Sequence, residues 1–237
     1  MLLLGDDDLI AEGVRRDVFR YPGNSELLVK VLKRAFIEKR NGQGAPWYNF
    51  KRLRHRYFRN LRKPHFDMYV SEIREQLTFA EIGLRHPAYL QRIVGFEETN
   101  KGLGLTVQAI KGRDGGLAPT VGALARAGKL DLPLRTMLDA FFDELLLSPI
   151  TISDLNIDNI VLGFSEELGD HYVVIDGYGT RTLLPVERVS EWAKRSAKQR
   201  QFTNFRRQLA NPPLRAALRA QKSSVFPEGK GAPAHIE

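Results

Sequence analysis

Three polar side chains in the last third of the sequence could bind a metal ion and orient a hydroxyl group. Asp154 and Asn159 stand five positions apart, and Asp176 follows further along the chain, each among apolar neighbours. Mg²⁺ prefers oxygen ligands and is usually held by one or two carboxylates together with substrate phosphates. Asn159 and Asp176 are therefore candidate Mg²⁺ ligands, and Asp154 is a candidate acceptor of a hydroxyl proton in phosphoryl transfer.

A β-hairpin is predicted between the two candidate metal ligands. Apolar runs at 160–162 and 172–175 are joined by a polar, glycine-containing link at 165–170, a pattern typical of two short strands and a turn. Glycines follow Asp176 directly, where the backbone either turns sharply or lets a ligand come close. Alternatively, Asp154 has only a structural role, because aspartate also caps helices and turns.

A lysine in an apolar strand is a second candidate site residue. The sequence predicts three antiparallel strands between residues 9 and 32, the third over 27–32. Alternation within this strand places Lys30 on one face with Leu28 and Leu32, and a buried ammonium group needs a partner. Alternatively, this is an edge strand and Lys30 points into water.

The turn before the second strand supplies further candidates. Gly13 is followed by Val14, Arg15 and Arg16. A single glycine is weak support for a phosphate-binding loop, but either arginine could contact phosphate directly in place of backbone amides. Alternatively, both arginines solvate an ordinary turn.

Two helices are predicted after the third strand. The first, about 46–63, is strongly basic with an aromatic stripe, so Lys51 to Lys63 could bind nucleic acid or an anionic membrane, or the stripe could pack on its own domain. The second, about 67–84, carries Glu72 and Glu75 on one face. Either glutamate could reach Lys30, the alternative being that both face solvent.

The remaining pattern completes an α+β chain. We predict two strands, a linker, four or five helices around the hairpin, and a disordered tail. The strands are at 89–96 and 103–110 and the linker is at 113–116. The helices are at 119–128, 132–148, 186–210 (one or two helices) and 214–220, and the tail is at 223–237.

Composition excludes several classes of protein. The 237 residues contain no cysteine, which excludes disulfides, thiol catalysis and thiolate metal sites. No apolar run approaches the ~20 residues that a membrane helix needs, and three aspartates follow the apolar residues 1–4, unlike a secretory signal. The sequence therefore predicts a cytoplasmic protein without an integral membrane segment. Its net charge of +8 favours anionic partners such as nucleotides.

The order of these segments resembles one family, the PhoP regulatory network protein YrbL family, from about Leu9 to Leu209. The resemblance is carried by Gly13-x-Arg-Arg, the Tyr-Pro turn, VKVLK, SEIREQL, the turn and strand at 100–104, SDLNIDNIVL, VVIDGYGT and a basic tail that contains tryptophan. That family is similar to protein kinases in fold. The resemblance implies a two-lobed fold: a small antiparallel β N-lobe with one or two helices at 1–112, and a reduced, mainly helical C-lobe at 113–222.

The same resemblance implies ATP and Mg²⁺ as ligands. Lys30 would contact the phosphates and pair with a helix glutamate, Asn159 and Asp176 would bind Mg²⁺, and Asp154 would orient the acceptor. The sequence departs from kinases in its single loop glycine, in Asp-Gly-Tyr-Gly instead of Asp-Phe-Gly, and in the absence of His-Arg before Asp154. These departures favour a small or unusual acceptor, or a pseudokinase role, over the phosphorylation of proteins.

Three functions follow as hypotheses. The main one is an ATP- and Mg²⁺-dependent phosphotransferase of unknown acceptor, either a small molecule or a protein. The first alternative is a nucleotide-binding regulatory pseudokinase that acts as an interaction module. The second alternative is a basic protein that binds RNA or a membrane surface through Lys51 to Lys63.

Overall fold

The computed structural model describes residues 1–34, 37, 66–179 and 191–210. The predicted basic helix at 46–63, the predicted helix at 214–220 and the predicted tail at 223–237 lie outside these residues. The described segments form seven strands and four helices: β1 Leu9–Glu12, β2 Arg16–Tyr21, β3 Asn24–Leu32, α1 Asp67–Glu81, β4 Ile93–Thr99, β5 Gly102–Gln108, α2 Val121–Arg126, α3 Leu132–Leu147, β6 Ile160–Ser165, β7 Gly169–Val174 and α4 Glu191–Ala210. The predicted α+β class is confirmed.

A five-stranded antiparallel sheet forms the first part of the structure. Its strand order is β1-β2-β3-β5-β4, and Lys30 pairs with Val18 on β2 and with Leu105 on β5. The prediction of three antiparallel strands with Lys30 in the third is therefore confirmed. The alternative of an edge strand is wrong, because β3 has a neighbour on each side.

Apolar side chains cover both faces of this sheet. On one face, Val29 and Val31 form a buried cluster with Leu4 and Phe19. On the other face, α1 contributes Tyr69 to a cluster with Leu32, Leu105 and Val107. The alternation of apolar side chains in β3 thus lets one strand contribute to two cores.

The predicted strand at 89–96 begins later than expected, at Ile93. The Tyr89 carbonyl oxygen accepts a hydrogen bond from the Val174 N–H of β7, and the Gln91 N–H donates to the Val174 carbonyl oxygen. These residues therefore extend the β6–β7 hairpin and not the large sheet. Helix α1 also ends slightly early, because Gly83 adopts a φ of 72° beyond its last turn.

A larger core lies beneath the hairpin. It joins α3 and α4 to the β6–β7 hairpin and to the loop at 150–159, with Phe142 stacked on Phe202 and in edge contact with Phe205. The predicted hairpin is confirmed as a two-stranded antiparallel sheet. None of the helices described is long and apolar enough to cross a bilayer.

Candidate functional site

The loop that carries Asp154 and Asn159 is hydrogen-bonded to the segment that carries Asp176. The Gly177 carbonyl oxygen accepts from the backbone N–H groups of Ser153 (2.8 Å) and Asp154 (2.9 Å). The Asn159 side-chain amide donates to the Asp154 carbonyl oxygen at 2.9 Å. The hairpin between Asn159 and Asp176 closes this arrangement, and the three candidate residues lie together at its open end.

Two glycines make this close approach possible. Gly177 has a φ of 85°, and a Cβ at this position would lie 2.0 Å from the Asp154 carbonyl oxygen and 2.9 Å from Asn159 Nδ2. Gly179 has a φ of 89°, and its Cβ would lie 2.6 Å from Ser71 Oγ on α1. A side chain would therefore separate the Asp176 segment from the 154–159 loop at one glycine and from α1 at the other.

Arg16 lies at the centre of the charged groups. Its Nη2 donates to Glu72 Oε1 of α1 and contacts Asp176 Oδ1, each at 2.6 Å. The side chain is only 5% exposed. Burial alone would lower the pKa of the guanidinium, but Asp176 and Glu72 raise it well above its ordinary value. Arg16 is thus a permanently charged bridge between α1 and the candidate metal ligand.

Lys30 lies beside this bridge but bonds uncharged oxygens. Its ammonium group donates to Gln91 Oε1 at 2.7 Å and to the Ile175 carbonyl oxygen at 2.5 Å. Burial, and then the positive charge of Arg16, lower the pKa of Lys30 to about 8, against the opposite effect of Glu72 and Asp176. Lys30 therefore reaches the residue that precedes Asp176.

The two candidate glutamates are both buried, so the alternative that they face solvent is wrong. Glu72 Oε1 accepts a hydrogen bond from Arg16 Nη2, and Glu75 Oε2 accepts one from the Thr151 backbone N–H at 2.8 Å. This differs from the expectation that one of them bonds the Lys30 ammonium. The physical reason is that the guanidinium of Arg16 can bridge two carboxylates at once, while its charge disfavours a second cation on the same oxygens.

Gly13 and Arg15 are further from the cluster than Arg16. The Gly13 N–H donates to the Arg16 carbonyl oxygen at 2.9 Å, and a Cβ on Gly13 would lie 2.4 Å from that oxygen. Arg15 is half-buried, with Nη1 3.9 Å from Met68 Sδ of α1. Gly13 therefore shapes a tight β1–β2 turn, and this turn directs Arg16 inward.

Glutamine side chains of α4 form hydrogen bonds with the backbone of residues 153–157. These contacts were not predicted from the sequence. Gln201 accepts from the Leu155 N–H at 3.4 Å and donates to the Ser153 carbonyl oxygen at 3.2 Å, on either side of Asp154. Gln208, two turns further along α4, accepts from the Ile157 N–H at 3.4 Å. The spacing of two glutamines by seven residues is the only sequence signal, and it is a weak one.

A buried lysine on α4 was also missed. Lys198 donates to the carbonyl oxygens of Leu145 (2.7 Å) and Ser148 (2.6 Å) at the end of α3. These carbonyl groups carry the negative end of the helix dipole, and a cation there is stabilising. Since the 150–159 loop begins two residues after Ser148, Lys198 fixes the point from which that loop starts.

The donor groups at the open end of the hairpin suit Mg²⁺. Burial would raise the pKa of Asp176, but Arg16, Lys30 and the Gly177 N–H together lower it far below its usual range, so the carboxylate stays ionised. Within the described residues, no group of three or more His, Asp or Glu side chains could hold a metal ion. One carboxylate, one amide oxygen and substrate phosphates are a set that Mg²⁺ accepts.

The comparison with protein families identifies one relative group. The model of the family described as "PhoP regulatory network protein YrbL" matches residues 2–210, which is nearly the whole chain. No curated protein matches the sequence.

Proposed function

The chain belongs to the PhoP regulatory network protein YrbL family, and we propose that it is an ATP- and Mg²⁺-dependent phosphotransferase with a two-lobed, kinase-like fold. In this proposal the sheet with α1 is the N-lobe, residues 113–116 are the linker, and the remaining described elements belong to the C-lobe. The acceptor is a small molecule or a protein that carries a hydroxyl group.

One observation carries this proposal. Gly177 accepts from the Asp154 N–H while its missing Cβ leaves room for the Asp154 carbonyl oxygen and for Asn159. This packing holds the loop that carries Asp154 and Asn159 against the segment that carries Asp176, beside the buried ammonium group of Lys30. Phosphoryl transfer depends on such positioning of charged groups more than on covalent chemistry by the protein.

Each residue then has a distinct task. Asp154 accepts a hydrogen bond from the acceptor hydroxyl and orients its oxygen toward the transferred phosphate. Lys30 and Arg16 provide positive charge toward the phosphates, and Asn159 and Asp176 hold the metal ion. When bound, Mg²⁺ supplies positive charge that neutralises the phosphate oxygens.

A thermal-shift titration tests the proposal. We expect ATP with Mg²⁺, at about 100 times its Kd, to raise the Tm by about 5–10 °C, because a ligand bound only by the folded state stabilises it by mass action. The Asp176→Asn variant should lose the part of this shift that depends on Mg²⁺. The control is Asp139→Asn, a change of the same type on α3, where Asp139 forms an exposed ion pair with Arg206 of α4.

Two outcomes bear directly on the proposal. If no nucleotide raises the Tm of the wild type, with or without Mg²⁺, the proposal is wrong. If the shift occurs, transfer of the γ-phosphate to water or to the protein itself is measured next, and it should fall at least about a hundredfold in Asp154→Asn, as for loss of a general base.

A regulatory pseudokinase is the second candidate, and the contact between Arg16 and Asp176 favours it. A carboxylate already paired with a buried arginine has less need of a metal ion. This candidate predicts nucleotide binding that is independent of Mg²⁺ and no detectable γ-phosphate transfer. The same titration separates the two functions.

A further inference from the structure

We propose that Arg16 is an internal counter-ion of Asp176 that competes with a divalent cation for this carboxylate. This inference rests on the proposed nucleotide and metal site and adds a form of regulation to it. While Arg16 is ion-paired with Asp176, binding of the metal ion to this carboxylate is disfavoured. The carboxylate accepts the metal ion once the guanidinium moves to another anion, for which the phosphate groups of a nucleotide are suited.

The geometry of the carboxylate supports this competition. Asp176 Oδ1 accepts from the Gly177 N–H at 2.6 Å and contacts Arg16 Nη2 at the same distance. Both hydrogen-bonding positions of that oxygen are therefore occupied. A metal ion that bound Asp176 would have to displace Arg16 or share the carboxylate with it.

The balance of charge supports it as well. Among the described residues, the charges that act on one another in this cluster are those of Arg16 and Lys30, which are positive, and those of Glu72 and Asp176, which are negative. These four charges balance without a metal ion. A divalent cation added beside Arg16 would meet a buried like charge at short range, where water screens the repulsion poorly.

The guanidinium also has unused hydrogen-bonding capacity. Within the described part of the chain, Arg16 Nη1 and Glu72 Oε2 are buried and have no hydrogen-bond partner. A buried donor without a partner is costly, so an anion that reached Nη1 would be stabilised. A nucleotide phosphate could thereby draw Arg16 away from Asp176 and open the carboxylate to the metal ion.

Binding of Mn²⁺, a paramagnetic substitute for Mg²⁺, tests the inference without any measurement of activity. The full chain is titrated with Mn²⁺, once without nucleotide and once with a saturating non-hydrolysable ATP analogue, and free Mn²⁺ is read by electron paramagnetic resonance against a protein-free sample of the same composition. Without nucleotide, we expect Arg16→Gln to reach half-saturation at an Mn²⁺ concentration at least about tenfold lower than the wild type, because a like charge is removed. With the analogue, which draws Arg16 away from Asp176 in the wild type, this difference should shrink. Arg16→Lys, which keeps the charge, should stay much closer to the wild type.

Two further variants make the result interpretable. Arg20→Gln removes the same charge from an exposed position on the same strand and should shift half-saturation by less than about twofold, since exposed charges are screened. The double variant Arg16→Gln/Glu72→Gln removes both partners of the buried pair. It should shift half-saturation in the same direction as Arg16→Gln, but less far because a negative charge is removed as well, and it covers the case in which the single variant does not fold.

The outcomes separate this inference from the proposed function. If the wild type binds Mn²⁺ with the nucleotide and, without nucleotide, the two Arg16→Gln variants need the same or a higher Mn²⁺ concentration than the wild type, the inference alone is overturned. If, without nucleotide, the wild type binds no Mn²⁺ but Arg16→Gln does, the inference is supported in its strongest form. If neither protein binds Mn²⁺ or the nucleotide, the proposed function fails and the inference fails with it.

Discussion

At the scale of single residues, position 177 has the narrowest tolerance in the site. Its φ of 85° disfavours any residue with a Cβ, and that Cβ would in addition lie 2.0 Å from a backbone oxygen. Backbone atoms cannot move aside as the end of a flexible side chain can. The packing of the site therefore requires glycine, the residue without a Cβ, at position 177.

Gly177→Ala should destabilise the protein and remove nucleotide binding. We expect a loss of more than about 3 kcal/mol, because the clash adds to the cost of about 1–2 kcal/mol for a left-handed conformation. Urea denaturation measures this loss, and thermal shift with ATP measures binding. The control is Gly169→Ala, where φ is 65° but nothing lies within 4 Å of the Cβ. A loss no larger at 177 than at 169 would show that the close approach to Asp154 is unimportant.

Because of Lys30, the free energy of unfolding should depend on pH in the alkaline range. Its pKa in the folded protein is about 8, below the ordinary value of 10.5. Between these values the unfolded chain keeps a proton that the folded protein has lost, so the free energy of unfolding rises with pH. From pH 7.5 to 9.5 the gain should be about 2 kcal/mol.

Urea denaturation of the wild type and of Lys30→Met at both pH values isolates this effect. The methionine variant should lack the gain. The range ends below pH 10 because burial raises the pKa of Tyr178, and a raised tyrosine pKa lowers stability as the pH rises further. Equal gains in both proteins would assign the effect to another group.

At the scale of elements, α4 joins the end of α3 to the loop around Asp154. Lys198 binds the last carbonyl groups of α3, and Gln201, one turn later, bonds the backbone on both sides of Asp154. Phe202 and Phe205 fix the helix in the core. A change on α4 can therefore alter the site without any contact with a ligand.

Lys198→Met should lower the free energy of unfolding by about 2 kcal/mol, since buried carbonyl groups lose their donor. The matched control is Arg195→Met, which removes the same charge from an exposed position on the same helix and should change stability by less than about 0.5 kcal/mol. Chemical denaturation compares the two. Equal effects would mean that net charge matters and the helix end does not.

The sequence predicted the elements better than the contacts between them. The hairpin, the three strands with Lys30 and the grouping of Asp154, Asn159 and Asp176 follow from periodicity and short spacing, which are local properties of the chain. By contrast, Arg16 and Glu72 are 56 positions apart. A basic residue in a turn has the same local pattern whether it faces water or bridges two carboxylates, so its partner could not be predicted. Lys198 was missed for the same reason.

At the scale of the whole molecule, residues 2–4 complete the large sheet. The Leu2 N–H donates to the Glu98 carbonyl oxygen at 2.7 Å, and its own carbonyl oxygen accepts from the Asn100 N–H. Leu4 exchanges two hydrogen bonds with the Asn100 side chain and is buried against Phe19. From the sequence, these residues were compared only with a secretory signal, whereas the structure places Leu4 in the core.

Leu4→Ala should therefore cost about 2–4 kcal/mol, as for other large apolar side chains removed from a core. The neighbouring Leu3 is 67% exposed, so Leu3→Ala should have little effect and is the control. Urea denaturation followed by tryptophan fluorescence measures both. Similar values for the two variants would place the segment outside the core.

This segment also affects the order in which the protein folds during synthesis. Leu4 and its partner Asn100 are 96 positions apart, so at ordinary rates of translation the leucine waits about 5–20 s for its partner to be made. Throughout that interval, the apolar side chains of β2 and β3 have no permanent cover on one face. Residues 2–4 thus reach their native place only after β4 and Asn100 have been made, and a nascent chain would need protection there from its neighbours.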